Sequence, residues 1–393
     1  MINVEGFKFS GISCGLKKSN KKDLGLILSE KECLSHAVFT TNKVIAAPLE
    51  IGKKIAKADK IHGVIVNSGN ANSCTGTKGI VATKKILEEL AKKTNLHVDN
   101  FFPSSTGIIG VQLDYKKINE NMDKLLGSLS KNSYRKFAES IQTTDRFIKF
   151  QHTKIKLGNS SGNLLGIAKG AGMIHPDMAT MLCFFVTDLK FNKSTFKSLI
   201  NNAVATSFNC ISVDGDMSTN DTVIALANGM AGNKSINNKS QYLNKVKREV
   251  QNIFYELAKS IIKDGEGATK VCEIIVKGAK SKSSADAIAR NVANSLLFKT
   301  ALYGSDPNWG RIIASVGATG INSIKQDKID IYIEKIKIVR NGQSSQNITL
   351  AKKLMKKKEV KITIDLNIGR HSAFMLTNDI GHDYINLNSL YTT

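Results

Sequence analysis

Thr180 stands where a glycine-containing turn meets an apolar run, within KGAGMIHPDMATMLCFFVTD over residues 169–188. Residues 181–186 have the length and the β-branched and aromatic content of a buried strand. Thr180 is therefore expected to begin a core strand directly after a kinked loop. A hydroxyl in that position supports one chemistry well. If the Ala179–Thr180 bond is cut, Thr180 gains a free α-amine, with an unperturbed pKa of roughly 7.7–8.0, beside its own hydroxyl. Nucleophile and base then come from one residue. The same hydroxyl could make the cut by attacking the preceding carbonyl, since Ala179 is small and Pro176 restricts the backbone. On these residues alone the plainer reading stays open, that Thr180 merely starts a strand.

Other stretches carry chemistry of their own. PSSTGIIG over 103–110 sets Thr106 and Gly107 before an apolar step, a candidate oxyanion hole. One such donor is worth ~2.7–4 kcal/mol in a transition state; a serine-rich loop is the other reading. DGEGATK over 264–270 holds Glu266 between two glycines. That carboxylate could approach a ligand closely and pair with an ammonium or move a proton, or the stretch is a tight turn. NSGNAN over 67–72 ends a strand in a polar turn able to aim several donors at one point. Thr143-Thr144-Asp145 reads as a helix cap or turn. Asp214, Asp216 and Ser218 have the spacing of a calcium loop, but Thr219 stands at the glycine position and Ala225 at the glutamate position. Calcium is rejected on that ground.

The elements that must hold these residues alternate between strand and helix. Strands are expected over 25–28, 36–39 and 63–66. Amphipathic helices are expected over 79–95 and 114–140, then a hairpin over 154–168 that feeds the Thr180 segment. Further helices are expected over 196–208, 245–263 and 286–303, with strands over 271–276, 329–339 and 360–368. The lysines over 352–358 read as a solvated helix face. This alternation, with hairpins that read as antiparallel, indicates an α+β fold.

The chain of 393 residues is long enough for two or three packed units. Its net charge of +23 is spread along the chain and comes mostly from lysine. Nucleic acid, an anionic surface and acidic substrates are the partners such a balance admits. No zinc-finger spacing or aromatic-basic RNA signature is present, so solvated lysine faces are the simpler account. Cys14, Cys33, Cys74, Cys183, Cys210 and Cys272 lie far apart with no CxxC pair, which argues against a zinc site and for free thiols in a reducing cytoplasm. The first residues lack the apolar core of a signal peptide, and no run approaches the ~18 residues of a membrane span.

KGAGMIHPDMATML resembles the self-cleavage segment of the glutamate N-acetyltransferase/ornithine acetyltransferase family, the ArgJ-type enzymes of arginine biosynthesis. His175 and Asp177 replace the usual Ala and Asn there. The likeness continues in FTTN (39–42), AAP (46–48), NSGNANSCTG (67–76), PSSTGIIG, TTD, SVDGDMSTND (212–221), DGEGATK, GSDPNWGR (304–311) and the ending YINLNSLYTT. It departs at 369–372 and 377–379, where the family has GxGxA and GCD forms. The resemblance implies autoproteolysis between Ala179 and Thr180, with Thr180 as nucleophile and Thr106 and Gly107 stabilising the oxyanion. By the same resemblance Thr143, Lys169, Thr180, Glu266, Asn388 and Thr393 bind substrate. It implies ping-pong transfer of acetyl from N2-acetylornithine to glutamate, with no metal or organic cofactor. Acetyl-CoA is a candidate co-substrate, since some members accept it.

The implied fold is a four-layer αββα sandwich assembled from both cleavage fragments, 1–179 (α chain) and 180–393 (β chain). Residues 1–277 would form the sandwich, and 278–393 a smaller C-terminal α/β domain. Two α and two β chains would assemble in the cytoplasm, without nucleic acid or membrane. The alternative is an N-terminal-nucleophile aminopeptidase or amidase of related fold, which passes the acyl group to water. If the lysine faces are simply solvated, the purified protein will not be retained on DNA or RNA at low salt; salt-sensitive retention would restore the nucleic-acid reading.

Overall fold

The computed structural model describes residues 2–175 and 181–390. It begins with an antiparallel pair, β1 (Phe7–Ile12) and β2 (Leu24–Phe39). Next come α1 (Ala47–Ile55), β3 (Lys60–Asn70), α2 (Gly76–Thr94) and β4 (Phe101–Ile108), with β3 and β4 parallel. Where one helical region was expected over 114–140, three short helices form: α3 (Tyr115–Glu120), α4 (Met122–Gly127) and α5 (Tyr134–Ser140). Asn121 and Gly127, weak helix formers, stand at the breaks. The hairpin β5 (Lys149–Leu157) and β6 (Ser160–Lys169) leads to β7 (Leu182–Thr187). Then follow α6 (Lys193–Ala205), the short β8 (Ile211–Ser212), β9 (Thr222–Ala227) and α7 (Leu243–Lys263).

Backbone pairing joins the larger sheet in the order β4-β3-β2-β9-β7-β6-β5, with β1 also on β2. The two segments expected at 25–28 and 36–39 belong to the single strand β2, and that strand shapes the fold. Leu24 pairs with Asn67 of β3, whereas Phe39 pairs with Thr222 of β9. Along a straight strand these points would lie about 50 Å apart, at ~3.3 Å per residue. Yet the Asn220 side-chain amide donates to the carbonyls of Ala71 (2.7 Å) and Ser105 (2.8 Å). β2 therefore turns a corner where its register shifts, between Leu28 and Cys33. The sheet folds back on itself as two facing leaves, β1–β4 and β5–β7 with β9.

Phe9, Ile27 and Val64 from the first leaf share one core with Ile167, Phe184 and Ile224 from the second. Phe137 of α5 meets Phe9 and Phe184 edge-on, with ring centroids 6.4 and 5.1 Å away. α2 covers the outside of the first leaf, and α6 and α7 cover the second through Phe185, Phe196 and Phe254. The layers run helix, sheet, sheet, helix.

Beyond α7 lies a second mixed sheet. Its elements are β10 (Val271–Ala279), α8 (Lys282–Asn294), α9 (Leu296–Tyr303), α10 (Trp309–Gly317), β11 (Asp330–Ile333), β12 (Ile336–Arg340), β13 (Gln343–Ser344), α11 (Ile348–Met355), β14 (Glu359–Asp365), β15 (His371–Asn378) and α12 (His382–Leu390). Its strand order is β13-β12-β11-β14-β10-β15-β8. Residue 277 thus falls inside β10, and the helix expected over 286–303 divides at Ser295, whose hydroxyl caps α9. α7 packs on β5 and β6 on one side and on β15 on the other, so it joins the two units. Among the described residues, no helix is long and apolar enough to cross a membrane. Because Phe184 sits where both leaves and α5 meet, Phe184→Ala is expected to cost about 3–5 kcal/mol, read from urea unfolding of parent and variant.

Candidate active site

The leaves open at one end onto a cavity of about 200 Å³. Lys169, the last residue of β6, faces inward from the second leaf, and its ammonium donates to Thr106 Oγ1 of β4 at 3.2 Å. That bond bridges the sandwich. Next to Thr106, Gly107 takes φ +134°, and a Cβ there would lie 2.4 Å from the Gly69 carbonyl carbon. Only glycine lets β4 run this close to β3 at the cavity wall.

Thr106, Gly107, Thr143, Lys169, Glu266 and Asn388 all line this cavity. They come from the two leaves, the loop before β5, the turn after α7, and α12. Ala179, Thr180 and Thr393 lie outside the described residues.

A buried ionic cluster sets the loops. Lys149, at the start of β5, donates to Asp145 Oδ1 (2.6 Å) and Asp264 Oδ2 (2.5 Å), with all three side chains fully buried. Asp145 also accepts the Gly170 amide (2.8 Å) and the Thr143 amide (2.9 Å). Burial would raise the Asp145 carboxyl, but the Lys149 and Lys169 ammonium groups outweigh it and hold its pKa down to about 2. Burial pushes the Lys169 pKa down, against the pull of Asp145, Asp221 and Glu266.

Glu266 reaches the cavity because its amide donates to the Ala171 carbonyl at 2.9 Å. Its carboxylate lies against Gly172, where a Cβ would come within 2.6 Å of it. Asn388 donates to Glu266 Oε2 at 2.9 Å, so α12 closes over the carboxylate. The stretch at 377–379 supports the same turn: Asp379 Oδ1 accepts the amides of Thr269 (2.8 Å) and Lys270 (2.9 Å).

The resemblance marked SVDGDMSTND without giving it a role, but the structure makes it a wall of the cavity, through Asp214, Asp216, Ser218, Thr219 and Asn220. Asp214 accepts the amides of Met173 (2.5 Å), Ile174 (2.9 Å) and Asp216 (3.2 Å), which pins the glycine turn. Burial nevertheless raises its pKa to about 6. Tyr384, also at the cavity, is raised to about 12 by burial and by nearby Asp214, Asp216 and Glu266. The acidic spacing in this stretch was the available signal; tested only as a calcium loop, it gave no hint of amide binding.

One expectation is modified. The amides of NSGNAN do not converge on one point: Asn67 donates to the Asn70 carbonyl, Asn70 to the Val111 and Gln112 carbonyls, and Asn72 to the Gly79 carbonyl and Thr83. GSDPNWGR starts a helix, with Asn308 capping α10, and Trp309 packs against the core of the second unit. Among the described residues, no three His, Cys, Asp or Glu side chains are grouped to hold a metal ion.

Two mixed sheets flanked by helices, with an inward lysine and a threonine-glycine pair at the mouth of the sandwich, define an N-terminal-nucleophile-hydrolase-like architecture. The ArgJ family model matches residues 8–393, and the chain belongs to that family. It is 42% identical to an arginine biosynthesis bifunctional protein ArgJ of Thermotoga neapolitana, across all of both chains. It is 40% identical to a mitochondrial ArgJ of Dictyostelium discoideum, over 99% of this chain and 92% of that protein. A crystal structure of argJ from Bacillus halodurans matches at TM-score 0.52 and 35% identity, covering 54% of this chain and 100% of that one.

Asp214 yields a pH test. Its folded pKa lies above the unfolded one, so its neutral form stabilises the fold. That contribution is complete below about pH 4 and is lost as pH rises through 6. Asp214→Asn cannot ionise, so its stability relative to the parent should rise by roughly 2–3 kcal/mol between about pH 4 and pH 8 in urea titrations.

Proposed function

We propose that this acyltransferase cuts itself between Ala179 and Thr180 and then carries acetyl on Thr180, moving it from N2-acetylornithine to glutamate. One observation carries the reading. Six residues expected at the substrate, spread from Thr106 to Asn388, meet in a single cavity beside the first strand after residue 180.

The chemistry follows from the groups present. The Thr180 hydroxyl attacks the acetyl carbonyl of N2-acetylornithine, and its α-amine takes the proton. Gly107 N–H and the Thr106 hydroxyl, polarised by Lys169, hold the developing oxyanion. Ornithine leaves with a proton from the ammonium, and acetyl stays on Oγ. Glutamate attacks next, its amine giving up a proton, and departs as N-acetylglutamate. Lys169 offers charge to a substrate carboxylate, and Glu266 with Asn388 offers acceptors and a donor to a substrate amino group. Thr143 and Thr393 complete the contacts. Acetyl-CoA is a second acetyl source for the same nucleophile. The working assembly is two α and two β chains.

Intact mass and acetyl exchange test this together. The parent should appear as two fragments split at 179/180, and Thr180→Ala as one chain. Exchange from N2-acetylornithine to glutamate should fall by roughly 10⁴-fold or more in that variant. A single-chain active parent would end the proposal. Loss of N2-acetylornithine at one rate with or without glutamate would instead mark a hydrolase.

A further inference from the structure

A second cavity, of about 720 Å³, adjoins the first and has no part in the chemistry above. Thr143 lines both. Gly69 of β3 lines the second and pairs with Gly107 of β4, which lines the first, so the two cavities share a wall. Four lysines from the loop between β1 and β2 also face the second: Lys17, Lys18, Lys21 and Lys22. The carboxylates in its lining are already engaged. Asp145 is held by Lys149, and Glu139 accepts from Lys22 at 2.6 Å. Lys18 and Lys21 have no hydrogen-bond or ion-pair partner among the described residues.

The loop that carries these lysines has a fixed shape. Asp23, fully buried, accepts the amides of Cys14 (2.7 Å), Leu16 (2.7 Å) and Lys17 (2.9 Å). Its carbonyl takes the Ser68 amide at 2.8 Å, which fastens the loop to β3. The Lys17 stem passes over Gly69, where a Cβ would lie 3.0 Å from Lys17 Cγ. The Lys17 ammonium donates to the carbonyls of Gln142 (2.7 Å) and Lys22 (2.8 Å), tying the loop to the segment before Thr143. Burial pushes the Lys17 pKa down to about 8; Lys169 and Lys21 add to this, against Asp23 and Asp145.

Lysines gathered this closely repel one another, and a concave surface of one sign concentrates ions of the other. The volume lies within the ~300–1,000 Å³ typical of small-molecule sites. No aromatic side chain is in the lining, so a nucleic-acid strand would find no platform for its bases. Phosphate oxygens suit lysine ammonium groups, which act as point charges. We propose that this cavity holds the phosphates of a nucleotide-linked acyl donor, acetyl-CoA, while the acetyl group reaches the first cavity past Thr143. The inference rests on the acetyl-transfer reading above and gives its second acetyl source a place to bind. Lys18 and Lys21 meet the phosphates; Lys17 shapes the loop and adds its charge.

The two donors differ in charge, and the two cavities differ to match. N2-acetylornithine carries one carboxylate and one ammonium, which the first cavity can pair. A CoA thioester carries several negative charges, which Asp214, Asp216 and Glu266 in the first cavity would repel. Its phosphates must therefore stay outside that wall, and the lysine cavity lies next to it.

The test uses the full chain. Lys18→Gln/Lys21→Gln removes the unpaired ammonium groups and leaves Asp23 and Lys17 in place. Lys352→Gln/Lys353→Gln on α11 makes the same charge change in the second unit. Three quantities are measured for each: calorimetric binding of adenosine 3′,5′-bisphosphate, KM for acetyl-CoA with glutamate as acceptor, and exchange from N2-acetylornithine to glutamate. In Lys18→Gln/Lys21→Gln the bisphosphate Kd and the acetyl-CoA KM should each rise ~10-fold or more. Exchange from N2-acetylornithine should stay within about threefold of the parent, which also shows that the variant is folded. The α11 variant should match the parent in all three.

Equal losses in both variants, or no loss in Lys18→Gln/Lys21→Gln, would overturn the inference. So would a parent that binds the bisphosphate but takes no acetyl from acetyl-CoA, since the site would then serve a free nucleotide. In each of these cases exchange from N2-acetylornithine leaves the acetyl-transfer reading standing. A parent without that exchange fails the reading itself, and the inference with it.

Discussion

The site depends first on the buried contact between Lys149 and the carboxylates of Asp145 and Asp264. Lys149 belongs to β5, Asp145 to the loop before it, and Asp264 to the turn after α7. One ammonium therefore fixes the Thr143 loop and the Glu266 turn relative to each other. Through the Gly170 amide, Asp145 also fixes the strand end that carries Lys169. Desolvating such a group is costly, and removing one partner from a buried pair typically costs about 3–5 kcal/mol. The arrangement is therefore stable only as a set, which suits a site whose parts lie over a hundred residues apart in sequence.

The same logic explains why the sandwich opens at this end. Apolar side chains fill the space between the leaves, as with Phe9 and Phe184. At the mouth, Lys169 and Thr106 take over the inward positions of their strands. A polar pair there keeps the leaves apart by satisfying itself, and the cavity begins where the core stops. Glu266 and α12 then close the far side, with Asn388 tying the C-terminal helix to the turn.

Much of the site was legible in the sequence, because its parts are short strings with distinctive chemistry. Thr106-Gly107 and Glu266 were marked from their own residues, Lys169 and Asn388 only by the family resemblance, and the structure brings all of them to one cavity. The corner in β2 was not legible. Residues 25–28 and 36–39 read as two strands, because the polar residues between them break the alternation; only the pairing with β3 and β9 shows one bent strand. Asp221 was invisible for a related reason. It appears as one acid among three in SVDGDMSTND, and its bond to the Met181 amide comes from the parallel register of β7 and β9, which brings it level with Met181.

The net charge of +23 looks at odds with a cavity walled by Asp214, Asp216 and Glu266. Distance resolves the difference. Exposed charges are screened over about 8 Å at physiological ionic strength, whereas buried ones interact with little screening. Surface lysines therefore govern the approach of anionic molecules in dilute salt and little else. Among the described residues, Lys169 is the cation that lines the cavity and faces several carboxylates, and burial already weakens its hold on its proton. A bound amino acid would meet an ammonium for its carboxylate and acceptors for its amine. On the proposed reading, recognition of the amino acid is thus written by a handful of groups at one cavity, in opposition to the sign of the molecule as a whole.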